Sequence, residues 1–268
     1  PLSAVSSIGL PALHLAADAV NSVLKDDKTN KIRAWHDLSQ GRKVISQDNP
    51  DLQPFYQGDG IGGLPAIGFH HTALVVPNET QELFQDDFTI GLIYRGETGA
   101  GRLLDGTETW QENGEYGERG FSIGLDEHGA LQVQGGTEEI KLTSTLNQPH
   151  LAVISGQVMA DHLLVTIWLD GKFHIEKEFK DTQIFRDCSA NLILGQSRNG
   201  DLGFNGQLGE VVIYNKALSA EERQRLEEFM SAKWRVALSG VAPVASAVLH
   251  LAATRLASVL NENGVPAG

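Results

Sequence analysis

The stretch Leu163-Leu164-Val165-Thr166-Ile167-Trp168-Leu169-Asp170-Gly171-Lys172-Phe173 decides the fold class. Val165, Ile167 and Leu169 alternate with Leu164, Thr166 and Trp168, the period-two pattern of a strand that lays one face on a core. Trp168 falls on the other face, which places it on an outer or concave surface. Asp170-Gly171 tolerates the positive φ angles of a two-residue hairpin turn, so a second strand is expected directly afterwards, over residues 173–179.

The same pattern extends in both directions. Short apolar runs at 66–69, 73–76, 88–94, 120–125, 131–134, 150–155, 191–194 and 209–214 are punctuated by turn residues. The turns include Asp126-Glu127-His128-Gly129, Gly135-Gly136 and Arg198-Asn199-Gly200-Asp201. Many short strands at regular spacing indicate a sandwich or barrel, and 29 glycines suit its tight turns. One helix interrupts the pattern. Ser219-Ala220-Glu221-Glu222 is a capping box, and Leu226, Phe229, Met230 and Trp234 then fall on one helical face. The helix is expected to end near Trp234 and to lay that stripe on the sandwich, with Lys233 complementing its dipole.

Composition narrows the function. At 268 residues and 41% hydrophobic content, the chain can bury one large core. A net charge of -13 repels phosphate backbones and anionic bilayers, arguing against nucleic acid as a partner. No apolar run reaches the ~20 residues of a membrane helix, so membrane insertion is not expected. The single cysteine, Cys188, excludes an internal disulfide and a cysteine zinc site, and it reads as a packed residue near a strand start. The chain starts at Pro1 without an export signal, and a processed piece of a longer exported protein is expected.

The two ends of the sequence are related. Leu13-His14-Leu15-Ala16-Ala17 recurs as Leu249-His250-Leu251-Ala252-Ala253, and Ser22-Val23-Leu24 recurs as Ser258-Val259-Leu260. Eight of twelve aligned positions are identical, at an offset of 236 residues. A tandem array of domain-sized repeats accounts for this. Leu13, Ala16, Ala17, Val20 and Leu24 fit a helical stripe, whereas Leu-His-Leu fits a strand, and periodicity leaves both open.

Three segments together resemble the concanavalin A-like, laminin G-like domains of bacterial exported proteins. The first is Leu13-His14-Leu15-Ala16-Ala17-Asp18 with Trp35-His36-Asp37-Leu38-Ser39-Gln40-Gly41. The second is Pro54-Phe55-Tyr56 with Gly63-Leu64-Pro65-Ala66-Ile67-Gly68-Phe69. The third, the most specific, runs from Phe204-Asn205-Gly206 through Val211-Val212-Ile213-Tyr214 to Ser219, Glu222 and Lys233-Trp234. The resemblance implies an all-β, two-sheet antiparallel jelly-roll sandwich with one C-terminal amphipathic helix. It favours a strand for 13–17 and core positions for Trp35 and Trp234. The expected organisation is a leader or linker over 1–12, the sandwich over 13–234, and a linker plus the start of a following repeat over 235–268. The chain departs from the family pattern at His70-His71-Thr72, where an acidic-glycine stretch is usual.

Enzymes of this fold carry a Glu-x-Asp-x-x-Glu strand whose carboxylates flank a sugar bond about 5 Å apart. That spacing is absent from the sequence. Glu138-Glu139 and Asp126-Glu127 are adjacent turn pairs, and Glu176 and Glu178 share a strand face with lysines around them, which reads as a solvated surface. Adjacent His70 and His71 diverge too far to share a metal, and His14 reads as structural. The carboxylates of Asp86, Asp87, Asp105, Glu108, Glu112, Glu115 and Glu118, with the Asn113 amide, make Ca²⁺ the one cation to consider.

Residues 105–119 read as a long polar loop with two aromatics. Aromatic rings beside carboxylates and amides suit a sugar, whose C–H patches stack while its hydroxyls bond. Asp105, Trp110, Asn113 and Tyr116 are the expected ligand-binding residues; the alternative is that Trp110 folds inward and anchors its own loop. The function expected is a noncatalytic ligand-binding or adhesion module of a secreted or cell-surface protein, with carbohydrate or another cell-surface ligand as partner, beside neighbouring domains of the same polypeptide. A structural spacer repeat and a glycoside hydrolase of the same fold are the alternatives.

Overall fold

The computed structural model describes residues 8–78, 83–84, 86–112, 115–180, 182, 184–185 and 191–239, with side chains omitted over 109–118. Cys188, Asn113 and the second copy at 249–260 lie outside the described residues.

The chain folds as two stacked antiparallel sheets. The eight-stranded sheet runs, in spatial order, Lys172–Phe179, Leu163–Leu169, Pro149–Val158, Phe88–Gly96, Asn205–Tyr214, Ala66–His70 and Phe55–Gln57, with Leu13–Ala16 paired to the second half of Asn205–Tyr214. The nine-stranded sheet runs Glu138–Leu142, Leu131–Gly135, Phe121–Leu125, Gly101–Asp105, Asn191–Leu194, Leu74–Pro77, Val44–Ser46, Ile32–His36 and Val23–Lys25. The opening Leu13–Ala16 is thus a strand, as the resemblance implied. The hairpin at Asp170-Gly171 closes with Leu169 opposite Lys172, and both turn residues have positive φ, 51° and 74°, as a two-residue turn of matching twist requires.

The core lies between the sheets. Trp35, Phe69, Phe88, Phe121, Val165 and Ile167 are among its fully buried residues. A second apolar layer covers the outer face of the eight-stranded sheet. There the helix Ala220–Trp234, capped by Ser219 and Glu222 as expected, packs Leu226, Met230 and Trp234 onto Ile93, Leu151, Val153 and Val212. Burying each such side chain stabilises by about 1.5–3 kcal/mol. Trp168 joins this layer half-buried, with the Arg223 guanidinium 4.5 Å from its ring centre. Ile8 and Val236, from beyond the 13–234 span, also pack here. Among the described residues no helix is long and apolar enough to cross a membrane.

The covered face explains the strand pattern. Strands in the middle of the eight-stranded sheet are buried on both sides, so Pro149–Val158 and Asn205–Tyr214 read as nearly continuous buried runs. The outer sheet of nine strands instead alternates, as in Leu131–Gly135, where Leu131 and Val133 point inward and Gln132 and Gln134 outward. Short or polar strands such as Gly101–Asp105 and Glu138–Leu142 carry little apolar signal, and the sequence reading did not assign them.

One buried carboxylate ties the layers together. Glu210, fully buried, binds His14 Nε2 at 2.7 Å with one oxygen. Its other oxygen accepts from Lys233 Nζ at 2.9 Å and from Trp234 Nε1 at 2.6 Å. Lys233 in turn meets Asp18 at 2.8 Å. First strand, central strand and helix end therefore share one charge network. Burial disfavours the Glu210 charge, but the His14 hydrogen bond and the Lys233 charge outweigh it and hold the carboxyl below its ordinary range. A carboxyl with a lowered folded-state value contributes stability above its ordinary value of 4.5, and loses it as pH falls through the lowered one. Denaturant unfolding followed from pH 7 to pH 3 should show this loss. Glu210→Gln should start about 3–5 kcal/mol less stable at pH 7 and decline less steeply on acidification; equal stability of the two at pH 7 would contradict the assignment.

Candidate functional site: the outer face of the nine-stranded sheet and its projecting hairpin

Residues 105–119 do not form the long loop that their polarity suggested. Glu108–Glu112 and Glu115–Arg119 pair antiparallel as a two-stranded ribbon. The misreading has a physical cause: the ribbon is a sheet of its own, separate from the two core sheets, so its sequence carries no apolar alternation. Trp110 pairs with Gly117, and Gln111 with Tyr116. The two aromatic residues occupy successive rungs, which belong to opposite faces of such a ribbon. At its base Arg119 forms an ion pair with Glu108 at 3.0 Å.

The neck of the ribbon is tightly built. Gly106 N–H donates to Phe121 O at 2.9 Å. Gly120 has φ +91°, and a Cβ there would sit 2.4 Å from the Gly106 carbonyl oxygen, so only glycine closes the neck without strain. Asp105 is buried at this point, and both its oxygens are engaged: Thr107 N–H donates at 2.7 Å and Arg198 N–H at 2.8 Å. The Arg198 guanidinium donates to the carbonyls of Thr107 and Asn191. Asp105 and Arg198 thus clamp the ribbon to the neighbouring loop, whose Ser197 hydroxyl accepts from Leu202 N–H. Of the four expected ligand residues, Asp105 holds the neck, Trp110 and Tyr116 lie on the ribbon, and Asn113 lies outside the described residues.

Beside the neck runs a row of polar side chains that the sequence reading missed. Register places Asp105, Ser122, Gln134 and Glu139 on one transverse line, and Arg102, Gly124, Gln132 and Lys141 on the next. Arg102 donates to Gln134 at 3.0 Å, Gln132 to Glu139 at 2.7 Å, and Lys141 meets Glu139 at 3.3 Å. These amides, guanidinium and carboxylate supply donors and acceptors on the open side of the sheet. The signal was the alternation Leu131-Gln132-Val133-Gln134, whose polar members face out; it needed the flanking strands to become a surface.

A second concavity, of about 320 Å³, lies at the opening of the chain between Leu10, Pro11, His14, Leu38, Ser39 and Arg42. Two of its polar side chains, His14 and Ser39, are committed to the fold. Asp37 accepts from His14 N–H at 2.9 Å and from the Ser39 hydroxyl at 2.6 Å, and His14 is bound to Glu210. His70 is exposed, and the neighbouring His71 lies 3.4 Å from the Asn205 amide. Among the described residues no three His, Cys, Asp or Glu side chains converge on a metal position.

The family model of the concanavalin A-like lectin/glucanases superfamily, laminin G type, matches residues 72–222. The match covers more than half of the sequence, and the chain belongs to this family. No curated protein matches it by sequence. Several solved structures share the fold. A GH54 α-L-arabinofuranosidase soaked with a cyclic sulfate inhibitor is similar at TM-score 0.60 and 12% identity, over 87% of this chain and 65% of its own. A botulinum neurotoxin type C structure, from work on cell entry dependent on two ganglioside molecules, is similar at TM-score 0.58 and 13% identity, over 84% and 52%. Domain 4 of AbnA, a GH43 extracellular arabinanase from Geobacillus stearothermophilus, in complex with arabinotriose, is similar at TM-score 0.53 and 17% identity, over 81% and 98%. The chain spans about half the length of the neurotoxin chains it matches.

The neck geometry makes a direct prediction. Asp105→Ala leaves two partly buried N–H groups without their acceptor and should cost about 1–3 kcal/mol in denaturant unfolding, whereas Lys141→Ala on the open face should stay within about 0.5 kcal/mol. An Asp105→Ala protein of wild-type stability would show that the clamp carries no energy.

Proposed function

We propose that the chain is a noncatalytic carbohydrate-binding module of a secreted or cell-surface protein, and that its ligand lies on the outer face of the nine-stranded sheet against the ribbon bearing Trp110 and Tyr116. The observation that carries the reading is the meeting of an aromatic-bearing ribbon with a row of outward amide, guanidinium and carboxylate groups at Arg102, Gln132, Gln134 and Glu139. Aromatic faces offer stacking to sugar C–H patches, and the polar row offers hydrogen bonds to hydroxyls. Asn113 and Tyr116 complete the proposed ligand set, and Asp105 acts through the neck it holds. Membership in a family of lectins and glucanases supports the ligand class, as do the arabinotriose and ganglioside partners of two proteins with the same fold. A protein surface is the next ligand class.

The four buried carboxylates among the described residues support a noncatalytic role, Glu227 being paired with Arg223 on the helix. Asp37, Asp105 and Glu210 are each occupied by partners within the fold, whereas a retaining glycosidase needs two available carboxyls about 5 Å apart. The recurrence of the chain's opening at 249–260 favours a second role alongside binding, as one repeating module among neighbouring domains.

A glycan array followed by titration calorimetry tests the reading, with calcium and with chelator so that a Ca²⁺ requirement from the acidic ribbon is read in the same experiment. One of Trp110→Ala and Tyr116→Ala, the one whose position shares the face of the polar row, should weaken binding at least about tenfold, or 1.4 kcal/mol, while the other binds as the wild type and both stay folded. A polysaccharide that binds both variants as tightly as the wild type would sink the site, and binding to none would leave the module as a spacer. Reducing ends released from any bound polymer would overturn the noncatalytic assignment.

A further inference from the structure

We propose that residues 249–260 are a second, interchangeable copy of the strand and turn that open the sandwich, and that the slot beside Asn205–Tyr214 accepts either copy. The inference is independent of the ligand. It rests on which positions the two copies share. Leu13 and Leu15 fill the core at 0% exposure, and Leu249 and Leu251 match them. His14 binds Glu210, and His250 matches it. Ala16 and Ala17 are buried against the sheet, and Ala252 and Ala253 match them. The Ser22 hydroxyl closes the following turn by donating to Ala16 O at 2.7 Å and Ala19 O at 2.8 Å, and Ser258 matches it. Val23 packs on the core and is matched by Val259.

The four differing positions are 18–21, the turn itself, where Val20 is 89% exposed. Identity therefore follows structural role closely; Leu24, half exposed and also identical, is the exception. Two of the differences weaken the second copy as an occupant. Thr254 replaces Asp18 and loses its ion pair with Lys233. Ala257 replaces Asn21, whose φ of 61° costs an alanine about 1–2 kcal/mol.

The slot suits exchange. Among the described residues Leu13–Ala16 pairs with one strand only, in the register Leu13 to Ile213 and Ala16 to Glu210. The last described residues also lie within reach. Ser239 N–H donates to Asp170 O, and the pairings Leu169 to Ala152, Ala152 to Leu92, Leu92 to Val211 and Val211 to Leu15 put that turn level with the slot. Four strand spacings separate them, about 19 Å, and the ten residues from Ser239 to Leu249 extend to about 33 Å. The same strand can come from the chain's own tail or from a neighbouring copy.

The test disables one copy at a time in the full chain. Leu13→Asp with Leu15→Asp should keep the sheet circular dichroism spectrum and a cooperative unfolding transition at a lowered midpoint. Adding Leu249→Asp and Leu251→Asp should abolish that transition, while the latter pair alone should leave the wild-type midpoint unchanged. Light scattering on the first variant separates the sources: a monomer uses its own tail, and a dimer or larger assembly uses a neighbour's. The proposal is overturned if the first pair alone unfolds the chain as completely as all four, or if all four leave it as folded as the first pair.

Discussion

The strand Asn205–Tyr214 is the constraint on which the rest of the structure depends. It is buried on both faces and bonds Phe88–Gly96 along one side, and Ala66–His70 and Leu13–Ala16 along the other. Apolar side chains alternate between the inter-sheet core, at Leu208, Val211 and Ile213, and the helix layer, at Val212 and Tyr214. From Leu208 to Tyr214 Glu210 is the one charged side chain, and it joins the opening strand to the end of the helix. A charge in such a place is costly unless fully partnered. Its three partners, His14, Lys233 and Trp234, come from opposite ends of the sandwich sequence, so the chain must close on itself for that charge to be satisfied.

Much of this order was legible in the sequence because apolar period and turn chemistry agree in it. The hairpin at Asp170-Gly171, the strand Leu163–Leu169 and the helix Ala220–Trp234 with its Ser219 cap are local features, and each appears as the sequence specifies. The strands that escaped reading are short or polar. Val23–Lys25 and Val44–Ser46 have three residues each and are held by register with neighbours rather than by their own pattern. The opening strand was ambiguous for a related reason. Leu13, Ala16 and Ala17 are all buried, because one face meets the core and the other meets Glu210 and its surroundings. Burial on both faces erases the period of two.

The site was legible in composition and not in arrangement. The aromatic, acidic segment after Asp105 stood out at once, yet its form as a ribbon on a clamped neck depends on Arg198, more than ninety residues away. Asp105 illustrates the limit of reading residue types alone. An aspartate in a polar segment suggests a ligand, whereas its burial and two backbone partners make it a support. The outward row at Arg102, Gln132, Gln134 and Glu139 emerges only when three strands are set side by side.

On the proposed reading, the two-layer scaffold is sealed by a helix on one side and leaves the opposite face and its ribbon for recognition. Amide hydrogen exchange, measured on the chain alone and saturated with the tightest-binding oligosaccharide, tests this most directly. The account predicts slowed exchange over residues 101–119 and 131–141, with the helix and the Leu10–Arg42 cleft unchanged. Slowing confined to that cleft, or to the helix-covered face, would contradict it.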